Sequence, residues 1–152
     1  MFKHHVKYRV RYADTDQMRF MYYGNYARLF EIGRVESLRT LGCHYTELEK
    51  TGVWMPVIDL HSRYLKPAFY DDEIVIETMI TSLPAARILF EYEISRKDGV
   101  VIHEAKTTLV FLSRRTGKPC RAPDLLMSAL LPFFPNNLAH FYLLFLADSW
   151  GP

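Results

Sequence analysis

With 152 residues, 24% of them charged and 49% hydrophobic, the chain has the make-up of one soluble globular domain with a core of its own. A net charge of +2, with the basic residues scattered rather than run together, leaves no footprint for nucleic acid. Cys43 and Cys120 form neither a CxxC pair nor a metal-spaced cluster, and FKHHVKY near the start lacks the apolar core of a secretory signal, so reduced thiols in a cytoplasm are expected.

Val6, Tyr8, Val10 and Tyr12 alternate with Lys7, Arg9 and Arg11, which predicts a strand with one buried face. This strand delivers a loop bearing Asp14 and Asp16, and a long helix follows. Along that helix Tyr26, Phe30, Gly33, Ser37 and Leu41 form one stripe, flanked by Leu29, Ile32, Val35 and Leu38, while Arg28, Glu31, Glu36 and Arg39 carry charge elsewhere. So wide an apolar surface predicts a wrapped helix. Gly33 in mid-helix costs roughly 1 kcal/mol against alanine, and its place on the buried stripe predicts another chain segment passing close. Gly42 ends the helix.

Thr46 and Glu49 have capping-box spacing for a short helix ending at Gly52. A second strand runs from Met55 to Leu65, with Ile58, Leu60 and Tyr64 on one parity and Pro56 at its start. After the turn AFYDD, IVIETMITSL reads as a third strand, broken by Pro84 to Ala86. RILFEYEISRK is the clearest strand, with Ile88, Phe90, Tyr92 and Ile94 facing one way; Asp98-Gly99 then makes a hairpin to a fifth, VVIHEAKTTLVFLSR. Thr116-Gly117 marks another turn, and Pro123 to Leu131 reads as a short helix with Pro123 in its first turn.

One long helix against five antiparallel strands gives an α+β domain whose sheet curves around the helix. Such a sheet leaves an edge to cover, so a homodimer is expected. Phe133-Phe134 and the run from Leu138 to Ala147 are strongly apolar, yet far short of the about 20 residues that span a bilayer, so no transmembrane span is expected. Packing on the domain, a subunit contact and disorder all remain open for this tail.

The loop before the long helix holds the candidate chemistry. Unpaired N–H groups at a helix start favour negative charge, so Asp14 and Asp16 set a carboxylate beside an anion-binding backbone. That pairing suits attack on a carbonyl, with the acid activating water or attacking directly while N–H groups hold the developing oxyanion. Asp16 reads equally as a plain capping acid. No further carboxylate or lysine motif follows at a telling distance, so no metal is expected. His44, His61 and His103 stand isolated, as surface or core histidines do.

The blocks YADTDQM, YYGNYARLFEIGRVESLR and SRYLKPAFYDDEIVIET resemble the hot-dog-fold acyl-CoA thioesterases, in the 4-hydroxybenzoyl-CoA thioesterase branch, over roughly residues 6 to 131. The resemblance implies a five-stranded antiparallel sheet wrapped around a central helix, here in a domain spanning 4–132 with an apolar tail over 133–152 of open role. It implies a dimer with a continuous sheet, often doubled to a tetramer, and no cofactor beyond the coenzyme A of the substrate. It places the catalytic carboxylate on Asp16 and the oxyanion amide on Tyr23, seven residues later. Where the family usually has glycine, three residues after the acid, this chain has Arg19, and a positive φ there would cost stability or reshape the loop.

The phosphates of coenzyme A call for basic residues at the pocket mouth. Arg63, Lys66 and Arg87 are the candidates, Arg87 first because it matches a family position near the ligand; each also reads as plain surface charge. Met18, Phe20, Met55 and Phe69 are candidates to line the acyl pocket or to fill the core. The leading function is hydrolysis of an acyl-CoA, with acyl carrier protein a second possible carrier of the acyl group. The rival is a non-catalytic acyl-CoA-binding module on the same fold, which Arg19 motivates. A hot-dog hydratase would need a catalytic histidine paired with an acid, and none is found.

Overall fold

The computed structural model describes residues 1–137. Eight residues of alternating exposure form β1 (Phe2–Arg9), and a 3-10 turn (Tyr12–Asp14), a hairpin loop and a second 3-10 turn (Tyr23–Asn25) lead into α1 (Tyr26–Thr40). Then come α2 (Tyr45–Lys50), β2 (Val53–Trp54), β3 (Val57–Tyr64), β4 (Glu73–Ile80), β5 (Arg87–Arg96), β6 (Val101–Val110), β7 (Leu112–Ser113) and α3 (Asp124–Leu130). The sheet is antiparallel with order β1-β4-β5-β6-β3, and β2 and β7 form a separate pair.

The helix lies across the sheet as its wide apolar surface requires. Phe30 stacks on Tyr92 of β5 at 4.9 Å and Tyr26 on His103 of β6 at 4.1 Å, while Leu29, Phe30 and Leu38 are buried with Ile74, Ile76 and Ile80 of β4. Beneath it β5 buries Ile88, Phe90, Tyr92 and Ile94, the parity expected, and Gly99 turns the β5–β6 hairpin at φ +82°. At the far end of α1, Gly42 adopts φ +75° and donates to the Arg39 carbonyl at 2.9 Å, while the Cys43 N–H reaches the Leu38 carbonyl at 2.9 Å. These two bonds satisfy carbonyls that the helix leaves unpaired, which is why it stops there.

Gly33 meets β4, as its position implied. A Cβ there would run into Thr78 Oγ1 and come within 3.0 Å of Ile76 Cγ2. Gly33→Ala is expected to destabilise by about 1–3 kcal/mol through overpacking, despite alanine's better helix propensity. Urea midpoints check this, and Thr78→Ala in the same chain should recover most of the loss.

Several boundaries move. Tyr12 belongs to the 3-10 turn rather than to β1, which starts earlier, at Phe2. The α2 N-cap is His44, not Thr46, and no side chain caps it, so the spacing of Thr46 and Glu49 reflects a helix without a capping box. Pro123 is the N-cap of α3 rather than part of its first turn. The strand expected from Met55 to Leu65 is shorter, with β3 beginning after Pro56 and carrying an irregularity between Val57 and Asp59, and a separate short strand, β2, precedes it and pairs with β7. Ile58, Leu60 and Tyr64 do not bury a face, because β3 is an edge strand whose apolar residues are about half exposed in one chain.

At the other end, Phe134 is buried on the core and Phe133 packs edge-on against Phe2 at 5.0 Å, so the expected domain limits of 4 and 132 fall inside this packing. The remainder of the expected tail, 138–152, lies outside the described residues.

Candidate active site

Two acids two residues apart end in opposite environments. Asp14 is 3% exposed, and its carboxylate accepts from the Tyr8 hydroxyl at 2.7 Å, from the Arg11 N–H at 2.8 Å and from Arg28. Burial alone would raise its carboxyl, but these donors outweigh burial and hold it below the ordinary range. The Asp14 carbonyl is equally engaged, accepting from the Tyr22 N–H and from Asn25 Nδ2, both at 2.8 Å. Asp14 thus ties β1, its own loop, the second 3-10 turn and α1 together.

Asp16 sits at the base of a tight hairpin. Its N–H donates to the Phe20 carbonyl at 3.1 Å, its carbonyl accepts from the Arg19 N–H at 2.9 Å, and its Oδ1 accepts from the Met18 N–H at 2.8 Å. A three-residue turn of this kind needs its last residue in the left-handed region. Arg19 takes that place at φ +68°, so the loop keeps the backbone shape that glycine would adopt freely. Arg19→Gly is therefore expected to stabilise the protein by about 1 kcal/mol, raising Tm by roughly 2–4 °C in a thermal scan.

The hairpin lies along a second segment: Phe20 bridges Phe69, and the Met21 N–H donates to the Ala68 carbonyl at 2.8 Å. Beyond it the chain turns into Tyr23–Asn25. Tyr23 opens this turn, and among the described residues its N–H has no acceptor, as expected of the first amide of a helical turn. The turn is a 3-10 entry to α1 rather than the α-helix end itself. Tyr64, from β3, donates its hydroxyl to the Tyr23 carbonyl at 3.1 Å and packs edge-on against Tyr23 and Tyr26.

The structure gathers some expected residues and separates others. Asp16, Met18, Phe20 and Phe69 belong to the hairpin and the segment beside it, with Tyr23 two residues past its end. Tyr12, Met18, Tyr22, Tyr23, Phe69 and Tyr70 are all exposed here, Tyr23 by 64%, an apolar surface of the sort that marks a ligand or partner site. Met55 lies elsewhere, on a cavity of about 310 Å³ between α2 and β2. Arg63 faces the outer side of the sheet, paired with Glu104 at 3.3 Å and lining a groove of about 380 Å³. Lys66 follows β3, its N–H on the Ile102 carbonyl, and Arg87 opens β5; both are exposed. Neither cavity includes Asp16 or Tyr23, whose side of the chain is open.

His103 behaves as a core histidine. Burial pushes its imidazole down to about 4, Nε2 is shared with Ser62 Oγ at 2.8 Å, and among the described residues no acid pairs with it. Among the described residues no group of three or more His, Cys, Asp or Glu side chains is placed to hold a metal. Asp14, named with Asp16 as a candidate acid, turns out to be the structural one of the two, and Arg34 is the residue that sequence reading misses, buried on α1 although it is a cation four and eight residues after Phe30 and Tyr26.

The chain is similar to known proteins over most of its length. A profile of the Thioesterase-like superfamily matches residues 10–130. A putative acyl-CoA thioesterase, YneP of Bacillus subtilis, is 34% identical over 110 residues, covering 72% of this chain and 80% of that one. The acyl-CoA thioester hydrolase YbgC of Escherichia coli is 30% identical over 115 residues, 76% of this chain and 86% of its own. Among solved structures, a DHNA-CoA thioesterase from Staphylococcus aureus superimposes with a TM-score of 0.75 at 30% identity, covering 98% of this chain and 95% of that one.

Proposed function

From a chain that belongs to the Thioesterase-like superfamily and folds as a hot-dog thioesterase, we propose an enzyme that hydrolyses the thioester of an acyl-CoA, with Asp16 as its catalytic carboxylate and the Tyr23 amide as its oxyanion donor. The observation carrying this reading is the clamp at Asp14, whose carbonyl holds the Tyr22 amide and whose own loop carries Asp16 two residues on. Carboxylate and free amide thereby hang from one fixed point.

A thioester asks little more of a protein. The thiolate leaves readily, since simple thiols ionise near about 8.5, so no strong general acid is required. Asp16 takes a proton from water as its oxygen attacks the carbonyl carbon, and the Tyr23 N–H receives the developing oxyanion. Collapse breaks the carbon–sulfur bond, releasing the acid and the thiolate of coenzyme A, which is then protonated. The alternative route has Asp16 attack the carbonyl carbon itself, expelling the thiolate and forming an anhydride that water then opens. Single-turnover hydrolysis in heavy-oxygen water reveals the anhydride route where water opens the anhydride at the Asp16 carbonyl, since general-base hydrolysis puts no label on Asp16. Thiol release from short, long and aromatic acyl-CoAs tests the reading itself: tight binding without release would mean a binding module. An acyl carrier protein ester belongs in that panel, since a chloroplast acyl-acyl carrier protein thioesterase of Arabidopsis thaliana is 29% identical over 135 residues.

The active form is a homodimer joined at β3, with further pairing to a tetramer. The two sheet edges differ in what they carry: β1 bears Lys3, Lys7 and Arg9, cations that discourage edge pairing, whereas β3 bears half-exposed Val57, Ile58 and Leu60. A partner there would also lie beside Tyr64 and the open face of Tyr23. Leu60→Lys is expected to yield monomers in sedimentation velocity, with loss of thiol release. Arg87 and Lys66, exposed near strand ends, remain the candidates for the phosphates of coenzyme A. No helix among the described residues is long and apolar enough to cross a membrane. Cys43 and Cys120 are free thiols, which supports a reducing compartment such as the cytoplasm.

A further inference from the structure

The cavity beside α2 has a donor that nothing in the reaction uses. It encloses about 310 Å³, at the small end of the range for ligand sites, and Tyr45, Leu48, Val53, Trp54 and Met55 form its mostly apolar wall, with Glu49 exposed at its rim. Behind Tyr45 stands Arg34, from the third turn of α1 and only 8% exposed. Arg34 Nε donates to the Tyr45 hydroxyl at 2.8 Å, and Nη1 reaches the Tyr92 hydroxyl at 3.4 Å, which in turn shares a bond with Thr107 Oγ1 at 2.9 Å.

Among the described residues no carboxylate lies within ion-pair reach of Arg34. Buried charges are ordinarily paired, and this one is held only by neutral hydroxyls. Its charge is passed on through Tyr45: with a lone pair engaged by a guanidinium, that hydroxyl becomes a stronger donor, and its proton has no acceptor among the described residues. A polarised O–H in an otherwise apolar wall is the arrangement that orients a ligand carrying one oxygen.

Resting on the acyl-CoA reading above, we propose that this cavity takes the far end of the acyl group and that Tyr45, backed by Arg34, donates to an oxygen there, so that acyl chains with an oxygenated end are preferred to plain hydrocarbon ones. Arg34 lies eight residues beyond Tyr26, about 12 Å along the helix, so an acetyl group held at Tyr23 falls short and a chain of medium length reaches. A terminal hydroxyl and a terminal carboxylate share the required chemistry. They differ in how they meet Arg34, which attracts the anion, and Glu49, which repels it.

The test compares octanoyl-CoA with its ω-hydroxy and ω-carboxy counterparts on the full chain, wild type and Tyr45→Phe. Wild type is expected to show kcat/KM at least about tenfold higher for one oxygenated ester than for octanoyl-CoA, and Tyr45→Phe to bring the three within about twofold of one another. A higher value for the carboxylate shows that the charge of Arg34 acts on the ligand through the Tyr45 hydroxyl, and a higher value for the hydroxyl shows that Tyr45 donates while Glu49 excludes anions. Equal values in wild type, or a preference that survives Tyr45→Phe, overturn the proposal while leaving the hydrolase intact. If no ester is cleaved, the hydrolase reading is the one that fails, and dissociation constants for the same three esters by calorimetry decide the preference on the same criteria.

Discussion

Asp16→Asn is expected to lower thiol release from an acyl-CoA by about 10²- to 10⁴-fold, the range general-base catalysis contributes, without lowering the melting temperature. The substitution is clean for a structural reason. Asparagine keeps an oxygen for the Met18 N–H, the one side-chain bond Asp16 makes among the described residues, so the hairpin tip should hold its shape. What disappears is the basic oxygen. If Asp16 acts as a nucleophile the loss falls at the upper end, because an amide neither accepts the water proton nor forms an anhydride. KM should stay within a few-fold, since a general base acts on the transition state rather than on ground-state binding. Hydrolysis at the wild-type rate would remove Asp16 from the chemistry, leaving the Tyr23 amide without a partner.

How much of this was legible beforehand depended on whether a residue's surroundings are set locally. In β5 they are: a strand packed on one face writes its alternation directly, and Ile88 to Ile94 follow it. Gly33 announced β4 for a similar reason, because a glycine on a buried helix stripe has few purposes other than close approach. The edge strand β3 resisted reading because no described segment of this chain covers Ile58 and Leu60, so their apolar pattern does not report a buried face. The same limit applies to the basic candidates. Arg63 is the next-to-last residue of β3 and pairs with Glu104 on the far face, a placement that only the register between β3 and β6 decides. Arg34 was readable from its spacing with Tyr26 and Phe30, yet a cation on a buried stripe is passed over when charge is taken to mean solvent. Asp14 and Asp16 differ by nothing in the sequence. The fold separates them through Tyr8 and Arg28, six and fourteen residues from Asp14.

That separation makes Asp14 the residue whose loss should cost both stability and rate. Its carboxylate satisfies three donors, from Tyr8, the Arg11 backbone and Arg28, so Asp14→Ala strands them and is expected to destabilise the fold on the order of 3 kcal/mol. Asp14→Asn is milder, since an amide retains one accepting oxygen but turns its NH₂ toward donors. At temperatures where Asp14→Asn is folded, kcat should still fall roughly 10- to 100-fold with KM little changed. The hairpin and the Tyr23 turn then lose their common anchor, and a misplacement of about 1 Å between base and oxyanion donor suffices for such a loss. The effect on stability carries a pH signature. Because the donors hold the Asp14 carboxyl below its ordinary value of 3.8, its contribution is complete above that value and disappears as the pH falls through the lower, folded one. Urea midpoints of wild type and Asp14→Asn should therefore lie far apart at neutral pH and converge in acid. A gap that persists unchanged into acid would trace the loss to packing instead, and an Asp14→Asn enzyme with full kcat would show that the two halves of the site are held together by something other than this carboxylate.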